Sequence, residues 1–310
     1  MEIQRLNFGT NPINIKENIF NDSIGFVKQY DFSYANLSQE HRIHAISAVA
    51  SICYQNPKAV GSESLYNRLM AESMGLPSSS FEFVPVLLNI GEIEDEEFIS
   101  ESAKLSMKIF KHSEMVCDDN CYYLLTNYRA IVYDVENKFI SKKWLKRFNT
   151  EKECEIIKEH FKVFLFKVDL PTRSQMVRHR VSWQELSRRY VSGERVPFEY
   201  YVSEKMKSVN LCDPTKNILI RTSDGETDDV SFSASNILNI CLDFYEQALK
   251  QGVKPQEARR IIPQAAYTQI WGAFMPSQLE NYFKLRLDEH SQWEIRMVSK
   301  AMQESINGRK

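Results

Sequence analysis

The sequence lacks what would send it to a membrane or through a secretory route. No run of eighteen apolar residues occurs in its 310 residues, and Met1 to Lys16 has no basic segment leading into an apolar one. Neither a transmembrane helix nor a signal peptide is therefore expected, and the chain reads as cytoplasmic. A disulfide framework is missing too. The six cysteines (Cys53, Cys117, Cys121, Cys154, Cys212, Cys241) follow no repeated spacing, as reduced thiols do in a reducing compartment. Only Cys117 and Cys121 lie close together, and no second pair or His-x-x-x-His completes four ligands. They read as plain thiols, and no metal site is assigned. Excess charge of either sign is also lacking: a formal net charge of -2 excludes whole-surface attraction to nucleic acid or anionic membrane. Any anion site must come from a local cluster of bases. What is present, 43% hydrophobic and 26% charged residues, is the composition of a folded globular protein with a real core.

No internal repeat or low-complexity segment is found, and the pattern along the chain mixes helices with strands. Residues 38–75 carry two helical stripes, Ile43, Ile46, Val49, Ala50 and Cys53 in one and Leu65, Leu69 and Met70 in the other, broken at Asn56-Pro57. Phe81 to Ile90 is a dense apolar run read as a strand, with Pro85 favouring an edge or a bulge and Gly91 ending it. Residues 92–160 run from an acidic stretch through a Tyr-rich one to a charged helix at Glu151–His160, and read as an inserted subdomain. Phe161 to Val168 is a strand by its β-branched and aromatic content, punctuated by Pro171. Residues 208–232 are polar loop enclosing a short strand at Ile218–Ile220. Then come a helix from Ser233 to Gln251 closed by Gly252, a short helix from Gln256 to Ile262, a strand from Ala266 to Phe274, and a helix from Ser277 to Gln303.

Lysine is absent where basic charge is densest. Between Arg173 and Arg195 stand six arginines and no lysine, including Arg178-His179-Arg180 and Arg188-Arg189. A guanidinium is always charged and offers a planar fork of donors, so the choice favours a bidentate grip on phosphate or carboxylate. Gln175, Ser182, Gln184, Glu185, Ser187 and Tyr190, interleaved with the bases, can hydrogen-bond a planar heterocycle or a phosphate. The alternative is an exposed basic helix or an interface network. His179 alone is ambiguous, although flanking arginines should keep its ring neutral. Glu185 can equally balance the arginines' charge. Arg259 and Arg286 lie on predicted helices, where surface ion pairs are the ordinary role, and His290 and Trp293 read as packing residues.

In this segment the chain resembles the flavin-dependent thymidylate synthases. Their signature runs Arg-His-Arg, a short spacer, then Asn-Glu-x-Ser-x-Arg-Tyr; here it is Arg178-His179-Arg180, Val-Ser-Trp, then Gln184-Glu185-Leu186-Ser187-Arg188-Arg189-Tyr190, with Gln175 upstream at the family's spacing. The spacer is one residue shorter and the Asn is Gln184. A second block, Ala258-Arg259, Pro263, Tyr267-Thr268, Leu285-Arg286, Asp288, His290 and Gln292-Trp293-Glu294-Ile295, fits without a gap. The resemblance covers residues 40–90 weakly and 162–300 well, and says nothing of 92–160. Where the family has an Asn-x-Arg that contacts the flavin, this chain has Met275-Pro276-Ser277, while Asn127-Tyr128-Arg129 offers the same groups at the same spacing.

The resemblance implies an α+β fold with a central, largely antiparallel sheet flanked by helices, in a single catalytic domain over 1–310 that carries 92–160 as an insertion. It implies reductive methylation of dUMP to dTMP, with FAD as cofactor and methylene-tetrahydrofolate and NADPH as co-substrates. It also implies a homotetramer acting on small molecules, with no nucleic-acid or membrane partner. Gln175, Arg178, Glu185, Ser187, Arg189, Arg259 and Arg286 would hold the nucleotide, with Ser187 and Arg286 in the catalytic roles. Arg178, His179, Arg180 and Glu185, joined by Asn127 and Arg129, would serve the flavin. Two other readings stand beside this one: a related flavoenzyme that methylates another uracil nucleotide, and a non-enzymatic phosphate- or nucleic-acid-binding protein. An inactive scaffold is disfavoured by the retained Arg178, Ser187, Arg189 and Arg286.

Overall fold

The computed structural model describes residues 7–8, 11–12, 16–18, 25–71, 77–92, 112–136, 142–193, 195–201, 218–221, 227–230 and 234–308. In chain order the strands are β1 (Asn7–Phe8), β2 (Asn11–Pro12), β3 (Lys16–Asn18), β4 (Phe26–Tyr30), β5 (Pro85–Glu92), β6 (Glu114–Asp118), β7 (Cys121–Asn127), β8 (Lys162–Asp169), β9 (Ser182–Glu185), β10 (Ile218–Arg221), β11 (Thr227–Val230) and β12 (Tyr267–Phe274). The helices are α1 (Gln39–Tyr54), α2 (Glu63–Met70), α3 (Tyr128–Glu136), α4 (Glu151–His160), α5 (Leu170–Met176), α6 (Ala234–Lys250), α7 (Pro255–Ala258), α8 (Pro276–Arg286) and α9 (Trp293–Asn307).

A five-stranded sheet in the order β3-β4-β8-β12-β9 forms the centre, and every pairing in it is antiparallel. This is the α+β architecture expected. Strand β8 explains why the sheet is central. Successive side chains of a strand point to opposite faces, and in β8 both faces are dry: Val163 and Leu165 join one apolar cluster with Trp271 and α1's Ile46 and Val49, while Phe164, Phe166 and Val168 join another with Tyr282, Ile295 and Met302. A strand buried on both sides needs a continuous apolar run rather than an alternating one, and Phe-Lys-Val-Phe-Leu-Phe-Lys-Val supplies it. On the first face a second antiparallel sheet, β5-β7-β6, packs with α1 and α3; α8 and α9 cover the other face.

Three expectations are corrected. The segment Phe81–Ile90 is not one strand: Ser79–Phe83 is a 3-10 turn capped by the Ser78 hydroxyl, and β5 starts at Pro85. Proline heads an edge strand, where its missing N–H is harmless. Gly91 does not end that strand but lies at a register shift inside it. The helix read from Ser277 to Gln303 is two helices, because between them the Asp288 carboxylate accepts from the backbone N–H of His290 and pairs with its ring, and the Ser291 hydroxyl donates to the Leu285 carbonyl. Side-chain groups that compete for backbone partners in this way end a helix without proline or glycine. The strands β4 and β9 carry too little apolar pattern to be read beforehand.

The Cys117–Cys121 spacing has a local cause. Cys121 pairs with Asp118 and Tyr122 with Cys117 across a hairpin whose two turn residues, Asp119 and Asn120, both have positive φ, 44° and 63°. Asp and Asn tolerate that left-handed conformation better than other L-residues.

Candidate functional site

The Arg-rich segment is held between the central sheet and α8. Helix α5 starts where β8 ends: Asp169 accepts from the Thr172 N–H at 3.0 Å, and Pro171 occupies the first turn. After seven residues the helix stops, and Arg178-His179-Arg180 forms the turn into β9, which pairs with β12. Register is secured by Trp183, which lies over Gly272: a Cβ there would stand 2.5 Å from Trp183 Cζ3, so only glycine fits. The Trp183 indole donates to the His179 carbonyl at 3.0 Å.

Two cavities flank this segment. The first, about 460 Å³, is lined at its polar end by Arg173, Glu185, Ser187, Arg188, Arg259 and Arg260. Arg173 forks onto Glu185, with Nε 2.9 Å from both carboxylate oxygens and Nη2 also paired to Oε2, and Thr268 donates to Oε1 at 3.1 Å. Glu185 is thus fixed from both sides. Gln184 anchors the strand behind it, accepting from Ser79 Oγ at 2.6 Å and donating to Cys53 Sγ at 2.8 Å, and the Ser187 N–H reaches the Cys53 carbonyl at 3.4 Å. The four lining guanidiniums exceed the single lining carboxylate by three charges.

The second cavity, about 450 Å³, is lined by Arg178, His179, Arg180, Gln278, Asn281 and Arg286 among others, with no carboxylate among its described lining residues. Arg286, in the last turn of α8, donates from Nε to His179 Nε2 at 2.8 Å and from Nη2 to the Gln175 carbonyl at 3.0 Å. The imidazole nitrogen must accept, so the ring is neutral with its own proton on Nδ1. Its pKa is pushed down from 6.5 to about 4, first by burial and then by the Arg286 charge. The ring packs against Tyr282 at a centroid distance of 4.7 Å. A neutral His179 was expected, but for another reason: burial and a guanidinium 107 residues away outweigh the adjacent Arg178 and Arg180. Burial also lowers the pKa of Arg286, helped by the charge of Arg178.

The named residues divide accordingly. Glu185, Ser187 and Arg259 share the first cavity; Arg178, His179, Arg180 and Arg286 share the second. Gln175 joins them through its carbonyl, while its side chain donates to Gln292 at 2.5 Å. Arg189 is exposed, lines neither cavity, and lies 5.2 Å from the Tyr190 ring. Asn127 and Arg129 lie apart from both cavities. Asn127 is 2% exposed and accepts from the Ala130 N–H at 2.9 Å, and Arg129 binds Glu82 at 2.6 Å and the Pro77 carbonyl at 2.9 Å. Sequence reasoning counted Arg173 and Arg188 among the bases without giving them a site, and missed Arg260. For Arg173 and Arg188 the excess of arginine over carboxylate in 173–195 was the available signal.

Both cavities suit anions. The second offers guanidiniums for a pyrophosphate, and amides and a neutral imidazole for the edge of a heterocycle, so its donor set fits a dinucleotide such as FAD.

A model of the family described as thymidylate synthase complementing protein, Thy1, matches residues 93–308. The chain belongs to the Thy1 family. The match takes in residues 93–160, on which the motif resemblance is silent. Among curated relatives, the flavin-dependent thymidylate synthase of Thermosipho africanus is 31% identical over 144 residues, 46% of this chain and 61% of that protein. The flavin-dependent thymidylate synthase of Pyrococcus abyssi is 31% identical over 159 residues, 49% of this chain and 57% of its own length. The Thy1 chain therefore spans about three-fifths of the length of the curated relatives it matches. Among solved structures, the UMP/dUMP methylase PolB from Streptomyces cacaoi bound with 5-Br UMP is similar at 22% identity and a TM-score of 0.35, over 46% of this chain and 66% of that one. No helix among the described residues is long and apolar enough to cross a membrane.

Proposed function

We propose that this Thy1-family chain is a flavin-dependent thymidylate synthase that reductively methylates dUMP to dTMP, taking the carbon from methylene-tetrahydrofolate and the electrons, through FAD, from NADPH. The observation that carries the reading is the pair of cation-rich cavities that flank one short segment. Glu185, Ser187 and Arg259 are proposed to bind the nucleotide in the first, and Arg178, His179 and Arg180 the flavin in the second. Bound flavin supplies hydride chemistry. The protein's part is position and charge. Arg286 is already oriented by His179 and the Gln175 carbonyl, and is proposed to sit beside the uracil, where a fixed cation stabilises negative charge developing on the ring.

The resemblance also gives Arg189 to the nucleotide, and we propose Asn127 and Arg129 for the flavin in place of the family's missing Asn-x-Arg. Ser187 and Arg286 line different cavities of one chain. That separation supports a homotetramer in which copies complete one another's sites. We keep 1–310 as a single catalytic domain with 92–160 as an inserted subdomain, and place it in the cytoplasm. In support of the subdomain, β6 and β7 form a sheet with β5 apart from the central sheet.

The purified full chain should be yellow. Its flavin, reduced anaerobically by NADPH, should be reoxidised only when both dUMP and methylene-tetrahydrofolate are added, with dTMP as product. A colourless protein, or reoxidation indifferent to dUMP, would refute the proposal; a preference for UMP would move it to another uracil nucleotide. Arg129→Ala with full flavin occupancy and unchanged affinity would remove Arg129 from the cofactor site.

A further inference from the structure

Helix α8 walls the second cavity with Ser277, Gln278, Asn281, Leu285 and Arg286. Its last turn is tied to the cavity floor by the bonds from Arg286 to His179 and to the Gln175 carbonyl. Two separate devices hold its first turn. Gln278 accepts from the Met275 N–H at 3.0 Å and donates from Nε2 to the Arg180 carbonyl at 3.1 Å, so one side chain joins the helix start to the Arg178–Arg180 turn. The second device comes from outside the central sheet. Glu114, the first residue of β6, accepts from the Ser277 N–H with its two carboxylate oxygens at 2.9 and 3.1 Å, and from the Ser277 hydroxyl at 2.8 Å.

The first N–H groups of a helix have no partner within it and form the positive end of its dipole, so a carboxylate there makes charge-assisted bonds. Met275 and Pro276 bring no side-chain oxygen to this turn. Glu114 supplies one from 163 residues away. It does so from an anchored strand: Glu114 pairs with Leu125 of β7, the Ser113 hydroxyl donates to Thr126 Oγ1 at 2.8 Å, and Thr126 and Asn127 donate to the His112 carbonyl at 3.2 and 3.5 Å. Thr126 and Asn127 are themselves buried. A chain of bonded groups therefore runs from the core of the β5-β7-β6 sheet through Glu114, Ser277 and Gln278 to the Arg180 carbonyl.

We propose that Glu114 is a positioning residue for the second cavity: by holding the first turn of α8 it fixes where Gln278 meets the Arg178–Arg180 turn, and so makes cofactor binding depend on the β6–β7 hairpin. The inference rests on the flavin reading for the identity of the ligand but not for the coupling. The full chain, emptied of flavin, can be titrated with FAD by fluorescence for wild type, Glu114→Ala, Glu114→Gln and Asp119→Asn, with backbone hydrogen exchange followed by mass spectrometry on the same samples. Glu114→Ala should weaken FAD about threefold to thirtyfold and speed exchange both at the start of α8 and in the segment from Arg178 to Val181, where the His179 and Val181 N–H groups are bonded. Glu114→Gln keeps one acceptor oxygen and should fall between wild type and Glu114→Ala. Asp119→Asn, which removes a carboxylate from the hairpin turn, should stay within about twofold of wild type.

The direction of the effect is diagnostic. Glu114 is an anion beside a cavity lined by Arg178, Arg180 and Arg286, so if only its charge mattered its removal would tighten an anionic ligand. Unchanged or tighter FAD binding in Glu114→Ala overturns the proposal, as does an equal loss in Asp119→Asn. Weaker FAD binding with exchange unchanged from Arg178 to Val181 also overturns it, since the coupling would then not run through that turn. If wild type binds no FAD, the flavin reading fails, and the Glu114 assignment stands if exchange in that turn quickens in Glu114→Ala and falls if it does not.

Discussion

Replacing Arg286 by methionine would separate the two causes that keep His179 neutral. The wild-type ring, pushed from 6.5 to about 4, prefers its neutral form by about 3 kcal/mol at 1.36 kcal/mol per pKa unit. Burial is the larger cause and the Arg286 charge the smaller, so the substitution should recover less than half of that preference. The ring pKa in Arg286→Met should therefore rise above the wild-type value by less than half of the way to that of an exposed histidine. The sign of the stability effect follows. Below pH 6.5 the unfolded chain takes up the proton first, so stability falls as pH drops from 6.5 toward the folded value and levels beneath it; above 6.5 this ring contributes no pH dependence. In wild type the acid-side loss from His179 is about 3 kcal/mol, and in the variant it should shrink by less than half. At pH 8 the variant should be weaker by about 1–3 kcal/mol, because the hydrogen bonds to His179 and the Gln175 carbonyl are gone. Histidine-selective NMR titration, with the resonance assigned by His179→Gln, reads the first quantity; urea unfolding at pH 8 and pH 5 reads the others. A wild-type His179 titrating near 6.5, or an Arg286→Met ring unmoved from the wild-type value, would refute the account.

Two further outcomes are expected. Gly272→Ala sets a methyl 2.5 Å from Trp183 and 3.0 Å from Phe274, so urea unfolding should show a loss of about 1–3 kcal/mol; an unchanged midpoint would mean that Trp183 does not lie over the strand. Glu185→Gln leaves Arg173 facing an amide, which should cost about 1–3 kcal/mol in stability and reduce nucleotide affinity, both read by thermal unfolding with and without dUMP.

Legibility in the sequence followed physical causes. Strand β8 could be read because burial on both faces leaves the apolar run Val163–Phe166, and α6 because Gly252, with φ 86°, closes it. Strand β9 could not: Ser-Trp-Gln-Glu is polar because it is the outer strand of its sheet and presents Glu185 to a cavity. The break after α8 was hidden because Asp288 and Ser291 make it with side-chain hydrogen bonds that no proline or glycine advertises. At the site, the residue types were visible and their grouping was not. Which cavity receives Arg188 rather than Arg189 is decided by how the chain turns after β9, a tertiary matter that spacing does not encode.

Helix α5 is only seven residues long, yet its ends are fastened to different things: Asp169 caps it where the sheet delivers it, and Arg286 grips the Gln175 carbonyl near its other end. Arg173 reaches one recess and Arg178 lines the other. A mechanical part shared this closely cannot be tuned for one ligand while the other stays indifferent. Substitutions on opposite sides of α5 should combine non-additively, and changes that loosen one ligand's grip should be felt in the other's kinetics.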